Sequence, residues 1–273
     1  MIRKRKNPYH ENLASIILSE SEDYKFLAEG SYGEVYYFYV DNDIKIYDVF
    51  LKKGKYILKI NWLDEIHNIE RFNNLSKLGL IPKIYYNNGN ITIMRYFEGM
   101  SFIKILKNRD MYTNAFIRKV LKNIIKEKNK WTDFDQYHGD LHANNIMVNE
   151  KGDVIFIDPS DDKNNKLIFR YLDLNDLDLS ELDLSEAILK GADLSRADLS
   201  GTNLSGADLR GADFTDSIIT SNTNFKNANI KEAISLVIKN PKNYEKKKSR
   251  KINKTTIGKT FTKTNKNRTK TIQ

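Results

Sequence analysis

The chain has 273 residues, of which 40% are hydrophobic and 30% charged, so it is long enough for one large or two modest domains with a folded core. The absence of cysteine excludes disulfides, thiolate metal sites and cysteine nucleophiles, and it fits an intracellular protein, cytoplasmic or nuclear. The net charge of +9 is the sum of three unlike segments, with +4 over residues 1–171, −7 over 172–230 and +12 over 231–273.

Residues 1–22 form an N-terminal extension ahead of the first predicted strand. The basic start is followed by an apolar stretch, Leu13–Leu18, that is too short and too interrupted for a signal peptide. The sequence contains no run of about 18 apolar residues, so we expect no membrane-spanning helix.

A glycine-containing turn separates the first two predicted strands. These strands run from Tyr24 to Gly30 and from Tyr36 to Val40, with Gly33 between them. Backbone N–H groups at such a turn can approach a phosphate because no Cβ stands in the way. Two glycines three residues apart are also common in ordinary hairpins, so this feature alone does not identify a phosphate site.

The next strand carries a lysine against its apolar pattern. Lys59 lies in the run Tyr56–Ile60, where an edge-strand or snorkelling lysine would be the ordinary interpretation. A helix is predicted over residues 62–78, and it contains Glu65 and Glu70. A strand lysine paired with a helix glutamate can grip the phosphates of a nucleotide. Glu70 is preferred because it lies one turn before the apolar packing face, and Glu65 is the alternative.

The strongest motif is HGDLHANN at residues 138–145, which places Asp140 five positions before Asn145. Two amphipathic helices, predicted over residues 101–109 and 113–131, lead into it. A hairpin turn at Gly152-Asp153 and an apolar strand come next, and the strand ends at Asp158. One carboxylate can orient and deprotonate a hydroxyl, while an amide and a second carboxylate can hold Mg²⁺.

This ordered set of motifs resembles the protein-kinase-like superfamily over residues 23–170. The resemblance implies an α+β fold with a β-rich N-lobe and a helical C-lobe, and it implies ATP and Mg²⁺ as cofactors. It makes Asp140 the catalytic base and Asn145 and Asp158 the metal ligands. The residues that it assigns to nucleotide binding are Gly30, Gly33, Val35, Lys59, Glu70, Met94 and Phe97.

Several positions depart from ordinary protein kinases. Ala28 replaces the first glycine of the loop, and His142 stands where those kinases place a lysine near the transferred phosphate. The His-Gly-Asp and Asp-Pro-Ser triplets resemble the aminoglycoside and choline kinase branch and some atypical protein kinases. Only thirteen residues separate Asp158 from Leu172, so the C-lobe is truncated. The segment that begins at Leu172 either serves as a wall and substrate platform or is attached to a kinase remnant.

Residues 172–230 repeat every five positions, a period that matches neither helix nor strand. The units Ala192–Arg196 and Ala197–Gly201 match the consensus A(D/N)LXX of the pentapeptide-repeat family, which the segment resembles. Twelve units at four per coil predict three coils of a right-handed quadrilateral β-helix, with a slip of one residue near the end. An amphipathic leucine-rich helix is the alternative. The third, inward-facing position is held by Leu174, Leu179, Leu184, Leu189, Leu194, Leu199, Leu204, Leu209, Phe214, Ile219, Phe225 and Ile230.

The basic tail, residues 231–273, is predicted to be disordered because its lysine-rich C-terminal part has little apolar surface to bury. It is interpreted as an arm for nucleic acid or an acidic surface, or as a solvated tail that folds back on the acidic repeats.

These motifs support three functions. The first is an ATP- and Mg²⁺-dependent kinase for a hydroxyl acceptor, either an atypical serine/threonine protein kinase or a small-molecule kinase. The second is a pseudokinase scaffold that binds a protein partner through the repeats. The third is a binding module, since some pentapeptide proteins resemble duplex DNA in shape and charge. The richness in Lys, Asn and Ile and this domain combination suggest a large DNA virus, which would place the protein in the host cell or virion.

Overall fold

The computed structural model describes residues 8–19, 21, 23–29, 33–46, 49–61 and 69–237. They divide into two compact units, one comprising Met1–Gly99 with Ile155–Ile157 and the other Met100–Val154 with Asp158–Gln273. No helix within the described ranges has the length and apolar character needed to cross a membrane.

The first unit is built on a five-stranded antiparallel sheet in the order β1-β2-β5-β7-β6. A separate hairpin pairs β3 with β4. The described β-rich region confirms the strands that the sequence predicts. The elements are α1 (Pro8–Ser19), β1 (Asp23–Glu29), β2 (Gly33–Val40), β3 (Ile44–Ile46), β4 (Val49–Leu51), β5 (Gly54–Asn61), α2 (Ile69–Lys77), β6 (Ile84–Asn87) and β7 (Ile91–Arg95).

Helix α1 is a feature that the sequence interpretation missed. Ala14 and Ile17 are buried in the sheet core beside Phe38, Tyr56 and Leu58. Their spacing of three residues is helical and was the available signal. The predicted helix over 62–78 is seen as α2 from Ile69 onward, and residues 62–68 lie outside the described residues.

The second unit begins with a short strand and two helices that match the predicted ones within two residues. Thr113 caps α4, because its Oγ1 accepts the N–H of Phe116 at 3.1 Å. The buried stripe of α4 includes Ile117, Val120 and Ile124. The elements after Gly99 are β8 (Met100–Ser101), α3 (Phe102–Lys107), a 3₁₀ turn (Arg109–Met111), α4 (Asn114–Asp133), β9 (Leu141–His142), β10 (Ile146–Val148), β11 (Val154–Phe156) and β12 (Leu167–Ile168). Of β11, Ile155 and Phe156 belong to the first unit.

The pentapeptide segment stacks through single parallel bridges between residues twenty positions apart, such as Asp173 with Asp193. Four five-residue units therefore separate neighbours in the stack. The interval becomes twenty-one from Asn203 with Asn224 onward, which confirms the predicted slip. These bridges form no closed sheet among the described residues, and they run from Ile168 to Ile234, slightly beyond the predicted range.

The inside of this stack is apolar, as the pattern predicts. Third-position side chains from Leu174 to Phe225 are at most 5% exposed, and first-position alanines such as Ala192 are fully buried. These side chains stack on their counterparts in the next coil, so the repeats have a continuous core that an isolated unit would lack.

The second position of each unit explains much of the acidity. The carboxylate of Asp198 accepts the backbone N–H of Ser200 at 2.8 Å, and Asp183 and Asp193 do the same with Ser185 and Ser195. Asparagine performs the same task at Asn203. The acidic residues are therefore acceptors that close turns, a structural role that does not require resemblance to DNA.

These turns also set the acidity of the carboxyl groups. Burial disfavours ionisation of Asp178, Asp183 and Asp193, but hydrogen bonds from the serine two positions later outweigh it, so the pKa of each lies below its ordinary value. At Asp208 the pKa is lowered chiefly by the hydrogen bond from Arg210.

Two arginines bind the repeats to α4 and to the 3₁₀ turn that precedes it. The Arg118 guanidinium donates to the carboxylate and the carbonyl of Asp178 and to the carbonyl of Ser180. Arg109 donates to Asp173 at 2.9 Å and to Asn175 at 2.6 Å. Within this unit the coil thus lies directly against α4, where the sequence leaves no room for further helices.

We expect Arg118→Ala to destabilise the second unit by about 1–3 kcal/mol, because it leaves polar groups of Asp178 and Ser180 without their charged donor. Lys126→Ala, an exposed change on the same helix, should stay within about 0.5 kcal/mol. Urea denaturation of both variants measures the difference. Equal stabilities would contradict the fastening role of Arg118.

The repeats should lose stability in acid. Because the pKa of Asp183 is lower in the folded than in the unfolded chain, its contribution is present above about pH 4 and is lost as the pH falls through the folded-state value. Asp183→Asn keeps the acceptor for Ser185, so its melting temperature should fall less between pH 7 and pH 3 than that of the parent. Glu181→Gln also removes one negative charge, but from an exposed side chain. The melting temperature of this variant should fall as much as that of the parent. Circular dichroism melts test this, and identical losses in all three proteins would contradict it.

Candidate active site

The predicted phosphate loop is described only from its second glycine. Gly30 lies outside the described residues. Gly33 begins β2 opposite Asn61, and a Cβ there would lie 2.1 Å from the carbonyl oxygen of Ile60. The close approach of β5 therefore demands a glycine, a packing reason that the motif did not reveal.

The other predicted nucleotide-binding residues lie on the sheet and beside it. Val35 pairs with Lys59 across β2 and β5, and both side chains are half-buried. Met94 is half-buried in β7, Phe97 is half-buried just after it, and Glu70 is exposed in the first turn of α2. Glu65 lies outside the described residues, so the choice of glutamate for Lys59 stays a prediction.

The segment after β7 is tied back to β5. Tyr96 donates its backbone N–H to the carbonyl of Lys55 at 3.2 Å, and the Lys55 ammonium pairs with Glu98 at 2.8 Å. The hydrogen bond with Glu98 raises the pKa of Lys55. The backbone predicted to face adenine is thus held against the sheet.

In the second unit, the predicted catalytic loop, residues 138–145, brings two of the predicted site residues into contact. The Asn145 side-chain amide donates to the Asp140 carbonyl at 3.0 Å and to its Oδ2 at 3.3 Å. His142 Nε2 lies 3.3 Å from the same Oδ2. His142 Nδ1 is buried with no hydrogen-bond partner among the described residues. The Asp140 carboxylate is therefore oriented from two sides while its side chain stays 43% exposed.

The glycine of the His-Gly-Asp triplet has a steric cause. Gly139 has a φ of 80°, and a Cβ there would lie 2.2 Å from Ser160 Oγ and 2.7 Å from the carbonyl oxygen of Asp162. The arginine of ordinary kinases could not occupy this position without moving the turn after Asp158. Packing of that turn on the loop therefore explains why this triplet has glycine where ordinary kinases have arginine.

A short segment after Asp158, residues 160–166, forms hydrogen bonds to the loop; we call it the strap. Asn165 accepts the backbone N–H of His138 at 2.8 Å and donates to the carbonyl of Gln136 at 2.8 Å. Gly139 donates its N–H to the carbonyl of Asn164 at 2.9 Å. His138 is fully buried against Trp131 at 5.0 Å between ring centroids. Its Nδ1 also accepts the backbone N–H of Asp140 at 3.4 Å, so His138 supports the loop from inside, a role that the motif alone did not indicate.

The strap leads into β12, which pairs in parallel with the catalytic strand β9. Ile168 lies opposite His142 on one side and opposite Ile188 of the repeats on the other. The catalytic loop therefore forms the first layer of the same stack as the pentapeptide coils. Nothing in the local sequence predicts the pairing of Ile168 with His142, because these residues are 26 positions apart.

The predicted metal ligands offer an amide oxygen and a carboxylate. Asn145 is 8% exposed, and its amide nitrogen faces Asp140. Its Oδ1 accepts no hydrogen bond from the described residues. Asp158 is exposed and has a φ of 52°. Both oxygen types are hard donors that suit Mg²⁺, so these residues fit such an ion. The described residues include no group of three or more His, Cys, Asp or Glu side chains able to hold a metal ion.

Comparison with known proteins divides the chain in the same way. Residues 34–166 match the family model of the RIO domain, and residues 178–216 match that of pentapeptide repeats in eight copies. A probable serine/threonine-protein kinase, mkcE, of Dictyostelium discoideum is 25% identical over 169 residues, 54% of this chain and 22% of that protein. The chain thus spans less than a quarter of that relative. A pentapeptide repeat protein from the thylakoid lumen of Arabidopsis thaliana is 39% identical over 24% of this chain and 46% of its own, with a TM-score of 0.24.

The chain therefore joins a protein-kinase-like domain to pentapeptide repeats. The match of residues 34–166 to the RIO domain fits the resemblance of the loop to some atypical protein kinases. The predicted combination of families is confirmed, whereas a viral origin stays a prediction.

We expect Gly139→Ala to destabilise the second unit by about 2 kcal/mol or more, through strain at positive φ and overpacking against Asp162. Gly211→Ala is the matched control, since its φ is 65° and nothing lies within 4 Å of the added Cβ. That change should cost only about 1 kcal/mol. Urea denaturation compares them, and equal losses would show that the turn does not constrain Gly139.

Proposed function

We propose that the chain is an ATP- and Mg²⁺-dependent phosphotransferase that transfers the γ-phosphoryl group to a hydroxyl acceptor, as an atypical serine/threonine protein kinase or a small-molecule kinase. The observation that carries this proposal is the contact of Asn145 with Asp140, which orients an exposed carboxylate within the loop of residues 138–145. The RIO match and the kinase relative support the same class of reaction.

Asp140 is the proposed base. Its Oδ2 is held by Asn145 and lies beside His142, while the carboxylate remains accessible to an acceptor hydroxyl. A carboxylate so fixed can orient the hydroxyl and take its proton as the phosphoryl group is transferred. His142 is a positioning residue in this scheme, because it contacts Asp140 directly.

Asn145 and Asp158 are the proposed metal ligands. The ion would neutralise charge on the transferred phosphoryl group. Lys59, oriented by Glu70, is proposed to contact the phosphates, with Gly30 and Gly33 covering them. Val35, Met94 and Phe97 are proposed to line the adenine pocket, on the kinase resemblance alone.

The repeats are proposed to complete a right-handed quadrilateral β-helix and to act as a platform for a protein partner. The bridges at intervals of twenty residues support four units per coil. The alternative is a pseudokinase scaffold that works through this surface, and the direct attachment of the coil to Arg109 and Arg118 is what favours it.

The basic tail after residue 237 lies outside the described residues, and its contact with nucleic acid stays a prediction, as does a cytoplasmic or nuclear location.

Two variants separate an enzyme from a scaffold. Asp158→Ala should weaken Mg²⁺-dependent ATP binding about tenfold or more in calorimetric titration, because it removes a metal ligand. Asp140→Asn should keep that binding and lose about 10²–10⁴-fold of phosphoryl transfer from radiolabelled ATP. Asp133→Ala, an exposed change at the end of α4, is the control and should alter neither. Failure of the unmodified chain to bind ATP with Mg²⁺ would reject the phosphotransferase and leave the scaffold.

A further inference from the structure

One column of the repeats differs from all the others in its charge. The fourth residue of a unit is serine, threonine or asparagine at most positions, as at Ser195, Ser200 and Ser205. On the column that runs through Ile168 and Ile188, that position is always basic. We call these four residues the basic column: Arg170, Lys190, Arg210 and Lys231.

The basic column is aligned by backbone hydrogen bonds. Tyr171 donates its N–H to the carbonyl of Lys190 at 3.0 Å, Gly191 donates to Arg210 at 2.9 Å, and Gly211 donates to Lys231 at 3.0 Å. Neighbouring strands lie about 4.8 Å apart, so the four residues span about 14 Å. A regular row of cations thus crosses a segment whose net charge is −7.

A depression lies beside the basic column. The positions just after its four members hold Tyr171, Gly191, Gly211 and Glu232, so two large side chains enclose two glycines. The Tyr171 ring covers Gly191, whose Cβ would lie 2.5 Å from it, whereas nothing lies within 4 Å of a Cβ at Gly211. The result is an open cavity of about 290 Å³.

The charges of the basic column are only partly neutralised. Arg210 is bound to Asp208 through both Nε and Nη2, and Lys231 lies 3.5 Å from Glu232. Among the described residues, Arg170 and Lys190 form no ion pair. Two of the four cations therefore remain available to an anionic ligand.

The position of the basic column points to the kind of ligand. Beyond Ile168, the next strand in this column is β9, because Ile168 pairs with His142. His142 lies two residues from Asp140. A ligand along the basic column would therefore lie in line with the catalytic strand. A long polyanion is disfavoured, because acidic side chains dominate the rest of the segment.

We propose that the basic column and its cavity bind an extended acidic peptide, a docking segment of the protein that the site phosphorylates. Alternate residues of an extended chain face the same side, and three of them span about 13 Å, close to the length of the basic column. The first carboxylate would lie beside Arg170, the second between Lys190 and Arg210 and the third beside Lys231, and one side chain would enter the cavity above Gly211. The binding surface stands independently, whereas its use for substrates rests on the phosphotransferase proposed above.

Fluorescence anisotropy without ATP tests the binding surface. The probe is a labelled nine-residue peptide of alternating Glu and Ser, with Gln replacing Glu in the control peptide. We expect the full chain to bind the Glu peptide about tenfold more tightly, with affinity falling as salt rises. The variant Lys190→Ser with Lys231→Ser should weaken binding about fivefold or more, and it introduces the residue that other columns carry. Arg196→Gly removes a charge from another column, at a position where other units have glycine, and should leave binding within about twofold.

Each other outcome has a definite meaning. Binding that the two serine substitutions leave unchanged would place the peptide on another basic segment and overturn the proposal. A twelve-nucleotide single strand that binds more tightly than the peptide and depends on the same lysines would overturn it in favour of nucleic acid. Peptide binding at the basic column without phosphorylation of the peptide's serines would retain the docking surface and reject its use for substrates.

Discussion

The parallel pairing of Ile168 is the contact on which the second unit depends. On one side its strand lies against His142 of the catalytic loop, and on the other it lies against Ile188 of the repeats. Backbone pairing fixes both spacing and register, so the loop and the coil form one stack rather than two linked domains. The repeats therefore lie against the predicted catalytic loop through β12, and Arg118 binds them to α4.

The repeat geometry also separates the charged residues that the fold requires from those that it does not require. Second-position carboxylates close turns and can be replaced by asparagine, as at Asn203, so their number is a consequence of the fold. The fourth position donates its backbone N–H to that turn whatever its side chain, since serine, lysine and arginine all occur there. A charge pattern at that position is free to vary, and the regular placement of four cations in a single column is therefore more informative than the larger number of acids.

The sequence predicts those features of the molecule whose interacting residues lie close together in the chain. The repeats were predictable because every unit restates the same five-residue turn, and α4 because its apolar stripe and Thr113 cap lie within one segment. The kinase resemblance placed Asp140 and Asn145 in one motif, whereas the hydrogen bond between their side chains is a finding of the structure. The fastening by Arg118 was not, because its partner Asp178 is sixty residues away. The need for Gly139 was hidden for the same reason, since it depends on a turn beyond Asp158.

Backbone strain at Asp158 bears on whether the loop has been kept for chemistry. Its φ of 52° lies in the left-handed region, where a residue with a Cβ costs about 1–2 kcal/mol relative to glycine. Positive φ also recurs at the corners of the repeats, where glycine occupies four positions and residues with a Cβ occupy nine, Asp176 and Asp216 among them. Aspartate at positive φ is therefore ordinary at the turns of this chain, since its short polar side chain tolerates the left-handed conformation. A metal ligand and a structural corner share this backbone strain, so only the loss of a metal-dependent property on removal of the carboxylate distinguishes the two roles of Asp158.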